Sequence, residues 1–493
     1  MSKTWKRLLS LLLAVVMMLS LGVTGFADDG EEETTAETPE ENEVLEPEEE
    51  AVEDNGELEM TEISPDKLNV PKLGLEEGEE DSEELIPMDE EDLNQVVRVS
   101  IFLEAPSTIG AGFSTEGIGT NSAAIAYREG LKTQQAEMTA QIESVIGHSL
   151  DVQWNLTLAV NAISAYVTLG DIVKIESIPG VKSVQRENLY LPMEGETADP
   201  NTANTSENMV GATAAWAAGY TGAGSRIAII DTGIDTTHQS FAEEPFLYSV
   251  GLASATDELM TEADISRVLS QLNASQKMSG VTAQQLNRSG GGGNAVNSKI
   301  PYGFNYVDGN LTIDHVHDTE GDHGSHVAGI AAANRYIGTA HNDAASTVGA
   351  VGMAPDAQLL IMKVFGSNGG AYDSDYMVAI EDAIILGADV ANLSLGSGAP
   401  GWTFDNEYQD LILGWADSHN NKMVLSISAG NSYDLASFLP NKYLYLEDVS
   451  MHTGGSPGSY LNSLGVAAAQ NTMQKGMNII RTANGKVKKV YVK

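Results

Sequence analysis

The chain contains no cysteine, so no disulfide holds any part of it, and its stability has to come from packing, from a metal, or from both. Basic residues are scarce. Only 26 Lys and Arg stand against 70 Asp and Glu, for a net charge of −44 over 493 residues. Such a chain lacks the basic face that neutralises phosphates, which argues against nucleic acid as a partner. Beyond Val23 there is no apolar run long enough to span a membrane. No Asp/Asn loop has the spacing of an EF-hand, no helical His-Glu-x-x-His segment occurs, and no wall-anchor motif is present.

What is present divides the chain into four stretches. Lys3, Lys6 and Arg7 precede an apolar run from Leu8 to Val23, and Gly25-Phe26-Ala27 offers small residues at the −3 and −1 positions. This pattern predicts a signal peptide over residues 1–27, and hence a secreted or extracellular product. The alternative is an uncleaved anchor, for which the run is short. With the signal removed, no membrane association is expected. Thirty Asp and Glu follow between Asp28 and Asp92, against only Lys67 and Lys72. Residues 28–95 therefore read as a self-repelling, disordered acidic segment. It is either a solvated spacer or a loose binder of calcium or basic wall polymers. Residues 96–192 then show a strand at Val96–Leu103, a helix over Ala123–Ile146, a strand pair within Asp151–Thr168, a short helix around Ile172–Ile175 and a strand at Val181–Val184. That split order predicts a small ferredoxin-like α+β domain. From Ala214 onward apolar runs alternate with helical stretches: Ile227–Ile230, His323–Asn334, Ala357–Val364, Ser374–Leu386, Val390–Leu395, Glu407–His419 and Met423–Ser428. The alternation predicts an α/β fold, a mostly parallel sheet with helices on both faces. Functional residues collect at the carboxyl ends of the strands of such a sheet.

Three polar motifs follow this pattern. Asp231 closes the run Ile227-Ala228-Ile229-Ile230. His323 opens His323-Gly324-Ser325-His326-Val327-Ala328-Gly329. Asn431 follows Ser428-Ala429-Gly430. A serine hydroxyl is a poor nucleophile until a base takes its proton, and an imidazole both accepts and returns a proton near neutral pH. A buried carboxylate fixes the imidazole's tautomer, and an amide N–H steadies a developing oxyanion.

The three motifs, in that order, resemble the subtilisin-like serine proteases (peptidase S8) over roughly Asn204 to Ala469. The segment Lys299-Ile300-Pro301-Tyr302-Gly303-Phe304-Asn305-Tyr306 is similar to the cell-envelope proteinase branch, the lactocepin and C5a-peptidase relatives. The resemblance implies a catalytic domain over 204–493 with an insertion at about 241–299. Asp231 and His323 are then its catalytic pair, and Asn431 its oxyanion donor. Substrate polypeptide would be bound by Ser394, Leu395 and Gly396 within Asn392–Gly396, and by Gly369 and Gly370 within Phe365–Gly370. Residues 96–192 would be an inhibitor I9-type propeptide, acting on its own enzyme in cis with its tail in the substrate cleft. A generic α+β interaction domain is the alternative. No cofactor is required, and structural calcium is compatible with the family.

No Gly-Thr-Ser-Met segment occurs in the sequence. The nucleophile is therefore missing, and the chain reads as a C-terminally truncated serine endopeptidase, inactive as given. A peptide-binding or inhibitory product and a cell-surface structural protein are the alternatives. Asp231-Thr232-Gly233 also fits an aspartic protease, which would need a second such motif or a symmetric dimer. His315, His317, His323 and His326, near Asp314, Asp318 and Asp322, raise a zinc site without a standard spacing. His326 is expected to be a packed helix residue. Gly290–Gly293 marks a mobile point in an insertion that either borders the cleft or is a surface excursion.

Overall fold

The computed structural model describes residues 93–192, 210–287, 297–314, 321–366, 370–400, 423–429, 455–456, 464–466, 476–481 and 487–492. The predicted signal and acidic segments, the Gly290–Gly293 run and the helix expected over Glu407–His419 lie outside these residues. Among the described residues no helix is long and apolar enough to cross a membrane.

The first described stretch forms β1 (Val96–Leu103), α1 (Ser122–Ile146), β2 (Asp151–Leu156), β3 (Ala162–Thr168), α2 (Leu169–Glu176) and β4 (Val181–Arg186). Helix α1 starts where the Asn121 side chain accepts from the amides of Ala123 and Ala124, at 3.0 and 3.3 Å. It stops at Gly147, whose φ of 83° ends the helical path. The four strands pair antiparallel in the order β2-β3-β1-β4. Alternation along β1 separates two faces. Val97, Val99, Ile101 and Leu103 pack with Ile142, Ile146, Ile175 and Ile178 in one core. Arg98, Ser100 and Phe102 point the other way, and that face is also buried. A polar face of this kind usually meets water. This one meets the rest of the chain.

The rest is built on six parallel strands. They include β6 (Arg226–Asp231), β7 (Tyr302–Asn305) and β8 (Gln358–Lys363). A short β9 (Ala371–Tyr372) precedes β10 (Val390–Leu393), β11 (Leu395–Pro400), β12 (Val424–Ser428) and β13 (Leu464–Val466). The parallel order is β7-β8-β6-β10-β12-β13, with β6 between β8 and β10. Because both faces are covered, the strands are continuously apolar. Ile229, Leu359 and Ile361 share a core with Ala328 and Ala332 of α3 (His323–Ala332). Ala228, Ile230, Leu360 and Met362 share another with Met377, Ile380 and Ile384 of α4 (Asp373–Ile385). Each isoleucine, leucine or methionine among them contributes roughly 1.5–3 kcal/mol by leaving water.

Helix α4 is also the anchor for two other parts of the chain. Glu381 Oε1 accepts from the amides of Leu158 and Ala159, at 2.9 and 2.8 Å. Its neighbour Asp382 accepts from the amides of Asn273 and Ala274, at 2.5 and 3.0 Å. The β2–β3 connection and the stretch at 241–299 are thereby tied to one turn of one helix. That stretch is more than a surface excursion. Its described part folds into short helices, including Glu243–Leu252, Glu262–Val268 and Ala283–Asn287. Met260, Ile265, Val268, Leu272 and Leu286 belong to the main core.

At the far end, β13 pairs with β12 while its three residues stay exposed. Residues Gly476–Arg481 and Val487–Val492 form a two-stranded antiparallel ribbon.

Candidate active site

Strand β6 ends at the position where its two neighbours lead to opposite halves of the sheet, and its last residue is Asp231. The Asp231 side chain is fully buried. Its Oδ1 accepts from the Thr232 amide at 2.7 Å and lies 2.7 Å from His323 Nδ1. A carboxylate can only accept, so Nδ1 carries the proton, and proton exchange with a bound reactant falls to Nε2. The His323 side chain keeps 21% of its exposure, enough for a reactant to reach it.

Close backbone contact between the turn after β6 and the first turn of α3 makes this pairing feasible. Gly233 has φ of 108°, and a Cβ there would come within 2.3 Å of the Ile313 carbonyl. A Cβ on Gly324 would come within 2.2 Å of the Gly233 carbonyl and 3.2 Å of Asp231 Oδ1. Both positions therefore require glycine. The Gly324 amide donates to Thr232 Oγ1 at 2.9 Å, and the Asp235 amide donates to Ser325 Oγ at 2.7 Å. From the next strand, the buried Lys363 reaches back and its Nζ donates to the Thr232 carbonyl. The turn carrying the acid is thus fixed from both sides.

A second feature is a groove already filled by the chain itself. Residues Leu189–Pro192 form β5, which lies antiparallel between β9 and β11. Tyr190 pairs with Ala371 and Leu189 with Tyr372, while Leu191 pairs with Gly396 and Pro192 with Leu395. Gly370 has φ of 38°, and a Cβ there would strike the Leu189 side chain at 2.4 Å.

Of the residues singled out in the sequence, Asp231 and His323 come together, and Gly370, Leu395 and Gly396 line the strand-filled groove. Ser394 is half-buried and accepts from Asn392 Nδ2 at 2.8 Å. Asn431, Gly369, His315, His317 and Asp318 lie outside the described residues. His326 corrects the expectation of a packed residue: it is exposed. The buried face of α3 runs through Gly324, Ala328 and Ala332, four residues apart, and position 326 is about 200° around the helix from 324. With Phe241, Ile330 and Ala333 it borders a cavity of about 340 Å³. Among the described residues no group of three His, Asp or Glu is placed to hold a metal ion.

Sequence reasoning passed over Tyr190, Asp373 and Tyr376. Tyr190 is 1% exposed, and its ring stands edge-on to that of Tyr376, with centroids 5.4 Å apart. Asp373, at the start of α4, is buried beside them. It accepts from the Tyr376 hydroxyl at 2.9 Å and from the Asn188 amide and side chain at 2.7 and 3.1 Å. Burial pushes its carboxyl up to about 7, and the neighbouring charge of Glu187 adds to this, while hydrogen bonds from Asn188 and Tyr376 work against it.

Residues 222–488, over half of the chain, match the family model described as the subtilase family, peptidase S8. The PI-type proteinase of Lactococcus lactis subsp. cremoris is 32% identical over 343 residues, which is 69% of this chain and 16% of that protein. The minor extracellular protease Vpr of Bacillus subtilis is 26% identical over 64% of this chain and 29% of its own length. A C5a peptidase of Streptococcus pyogenes is 30% identical over 44% of this chain and 16% of that protein. The chain thus spans less than a third of the length of each of these relatives. Among solved structures, the epidermin leader peptide processing serine protease of Staphylococcus aureus aligns with 81% of this chain and 84% of its own, at 14% identity and a TM-score of 0.40.

Proposed function

The chain belongs to the subtilase family, and on that premise we propose that Asp231 and His323 are the acid and base of a secreted serine endopeptidase. The observation that carries this reading is the 2.7 Å contact between a fully buried carboxylate and His323 Nδ1 at the carboxyl end of a parallel strand. In the proposed reaction a serine hydroxyl attacks the peptide carbonyl as His323 Nε2 takes its proton. Asp231 holds the ring and stabilises the imidazolium. Asn431 donates to the oxyanion, and His323 then returns the proton to the leaving amine. Residues 96–192 act as the propeptide, and β9 and β11 receive extended polypeptide between them. Backbone pairing of that kind suits many sequences, as an endopeptidase requires.

A second reading is favoured by β5. The groove holds a strand without any bond being made or broken, so peptide binding or inhibition by itself is a sufficient role for this chain.

Labelling with a fluorophosphonate separates the two. The sequence has no Gly-Thr-Ser-Met segment, so this chain should label no more than its His323→Ala variant. Stoichiometric labelling of one serine would overturn that expectation. A chimera that continues the chain with the portion of the PI-type proteinase following the aligned stretch should label and hydrolyse protein substrates. Both activities should be lost on His323→Ala, and Asp231→Asn should lower turnover by a factor on the order of 10⁴. A folded His323→Ala chimera that turns over as fast as the unsubstituted one would refute the acid–base assignment.

A further inference from the structure

The small sheet is covered by more than α4. On β2, Trp154 is 1% exposed, and its Nε1 donates to Asp375 of α4 at 2.8 Å. The face of the same ring is met by the inserted stretch. Lys277 Nζ lies 4.6 Å from the ring centre and donates to the Gln153 carbonyl at 3.4 Å. Beside it, Gln276 Nε2 donates to the Asn155 carbonyl at 3.3 Å. A second contact comes from α1. The Arg128 side chain is buried, and its Nη1 donates to Gln271 Oε1 at 3.1 Å. Its other described acceptor, Thr157 Oγ1 at 3.3 Å, belongs to the small sheet itself. A third contact is steric. A Cβ on Gly119, just before α1, would come within 2.9 Å of Val268 and 2.8 Å of Ile385, so this turn is wedged between the insertion and α4. Ile118, Ala124 and Trp154 accordingly share one core with Val268 and Leu272.

We propose that residues 268–277 of the insertion are a docking surface for the small sheet, a clasp that works beside α4 and sets how long the small sheet stays once the chain is cut after Pro192. The occupant is residues 96–192 of the same chain, and the fit is chemical as well as steric. A cation meets an indole face, an amide oxygen meets a guanidinium, and a glycine passes where a side chain would collide. A cation over an aromatic ring is worth most where water is excluded. A buried guanidinium that loses its acceptor is left with its desolvation cost. Losses of this kind act chiefly on the rate of dissociation. A small sheet that matched α4 alone, with nothing in place of Trp154 and Arg128, would therefore leave sooner.

The clasp rests on the reading of residues 96–192 as a propeptide, a unit that leaves after cleavage, and the test separates the two. A site for a sequence-specific protease is placed within residues 193–209 of the full chain, and the chain is cut to completion. Loss of the fragment on dilution is followed by size-exclusion chromatography, with unfolding curves of each uncut variant confirming that it folds. Lys277→Ala should speed release by about 3- to 30-fold. Gln271→Ala should speed it by about 10- to 100-fold. Arg267→Ala, an exposed change on the helix Glu262–Val268, should leave the rate as it is. Arg98→Ala, which opens the α4 junction, should also speed release. Release of both insertion variants at the unsubstituted rate, with Arg98→Ala fast, would overturn the clasp and leave the propeptide reading standing. Equal acceleration by Arg267→Ala would overturn it too, since any loosening of the insertion would then suffice. If the fragment stays until global unfolding in every variant, Arg98→Ala included, residues 96–192 are no releasable unit and both readings fail.

Discussion

Single atoms decide the geometry of the Asp231–His323 pair. A methyl group on Gly324 would stand 2.2 Å from the Gly233 carbonyl, backbone against backbone, so either α3 or the acid's turn would have to retreat. Gly324→Ala is expected to lower stability by about 1–3 kcal/mol. It should also erase the low-field proton resonance of a His323 Nδ1–H held by a carboxylate. Urea unfolding and proton NMR on the same sample would check both, and a retained resonance at wild-type stability would contradict the packing argument. Asp373 makes a prediction of opposite character, about pH. Its carboxyl sits at about 7 when buried, above the ordinary 3.8. An acid raised on folding is protonated more in the folded state, so stability falls as pH rises between these values. Relative to Asp373→Asn, the wild-type chain should lose stability progressively from about pH 4 to about pH 7 and stay level above. Thermal unfolding of both proteins across that range gives the difference directly. A pH-independent gap would mean that the carboxyl titrates normally.

At the scale of elements, the junction between the small sheet and α4 turns on Arg98. Its guanidinium pairs with Glu187 and Asp375, donates to Ser374 at 2.7 Å, and lies 4.7 Å from the centre of the Tyr372 ring. Removing it leaves two carboxylates in a dry interface. Arg98→Ala should cost roughly 3–5 kcal/mol, and Arg98→Lys should recover little, because an ammonium cannot span both acids and stack on the ring. Denaturant unfolding that shows lysine equal to arginine would argue that charge alone matters. Much of this level could be read from the sequence. Strand β1 has the bounds that its β-branched run predicts, and the strand ending at Asp231 stands where the apolar pattern puts it. What could not be read follows from non-local pairing. Val-Arg-Val-Ser alternation looks like a strand with one wet face, and nothing nearby in sequence announces the partners 276 and 277 residues away that dry it. Strand β5 is four residues ending in proline, and its partners lie about 180 residues or more downstream. Asp373 reads as an ordinary acid in the first turn of a helix until the fold buries it beside Tyr190. Short helices such as Glu262–Val268 carry too few turns to show a period.

For the molecule as a whole, the stretch from Phe241 to Lys299 matters most, because its described part is woven into the main core. Stretches that open easily have few buried apolar contacts. Met260, Ile265, Val268, Leu272 and Leu286 are all buried, and Asn273 is held by Asp382. Limited proteolysis should therefore spare residues 241–287 until the chain unfolds globally. Early cuts there, mapped by mass spectrometry while the small sheet stays intact, would show that this part opens independently.

The seating of β5 also has a consequence for concentration. Because the occupant belongs to the same chain, its effective concentration at the groove is set by its attachment, and such intramolecular concentrations reach the order of millimolar. A free peptide making the same contacts has to reach that range before it displaces half of the tail. Once the backbone is cut between Pro192 and the strands that hold it, the tail is kept near the groove only through the small sheet, by contacts on α4 such as Arg98 with Asp375 and the Leu158 and Ala159 amides with Glu381. Its local concentration falls to that of the bulk protein only when that junction opens as well. Whether the groove is open or shut is thus governed less by how well β5 itself fits than by the covalent connection and the small-sheet junction together.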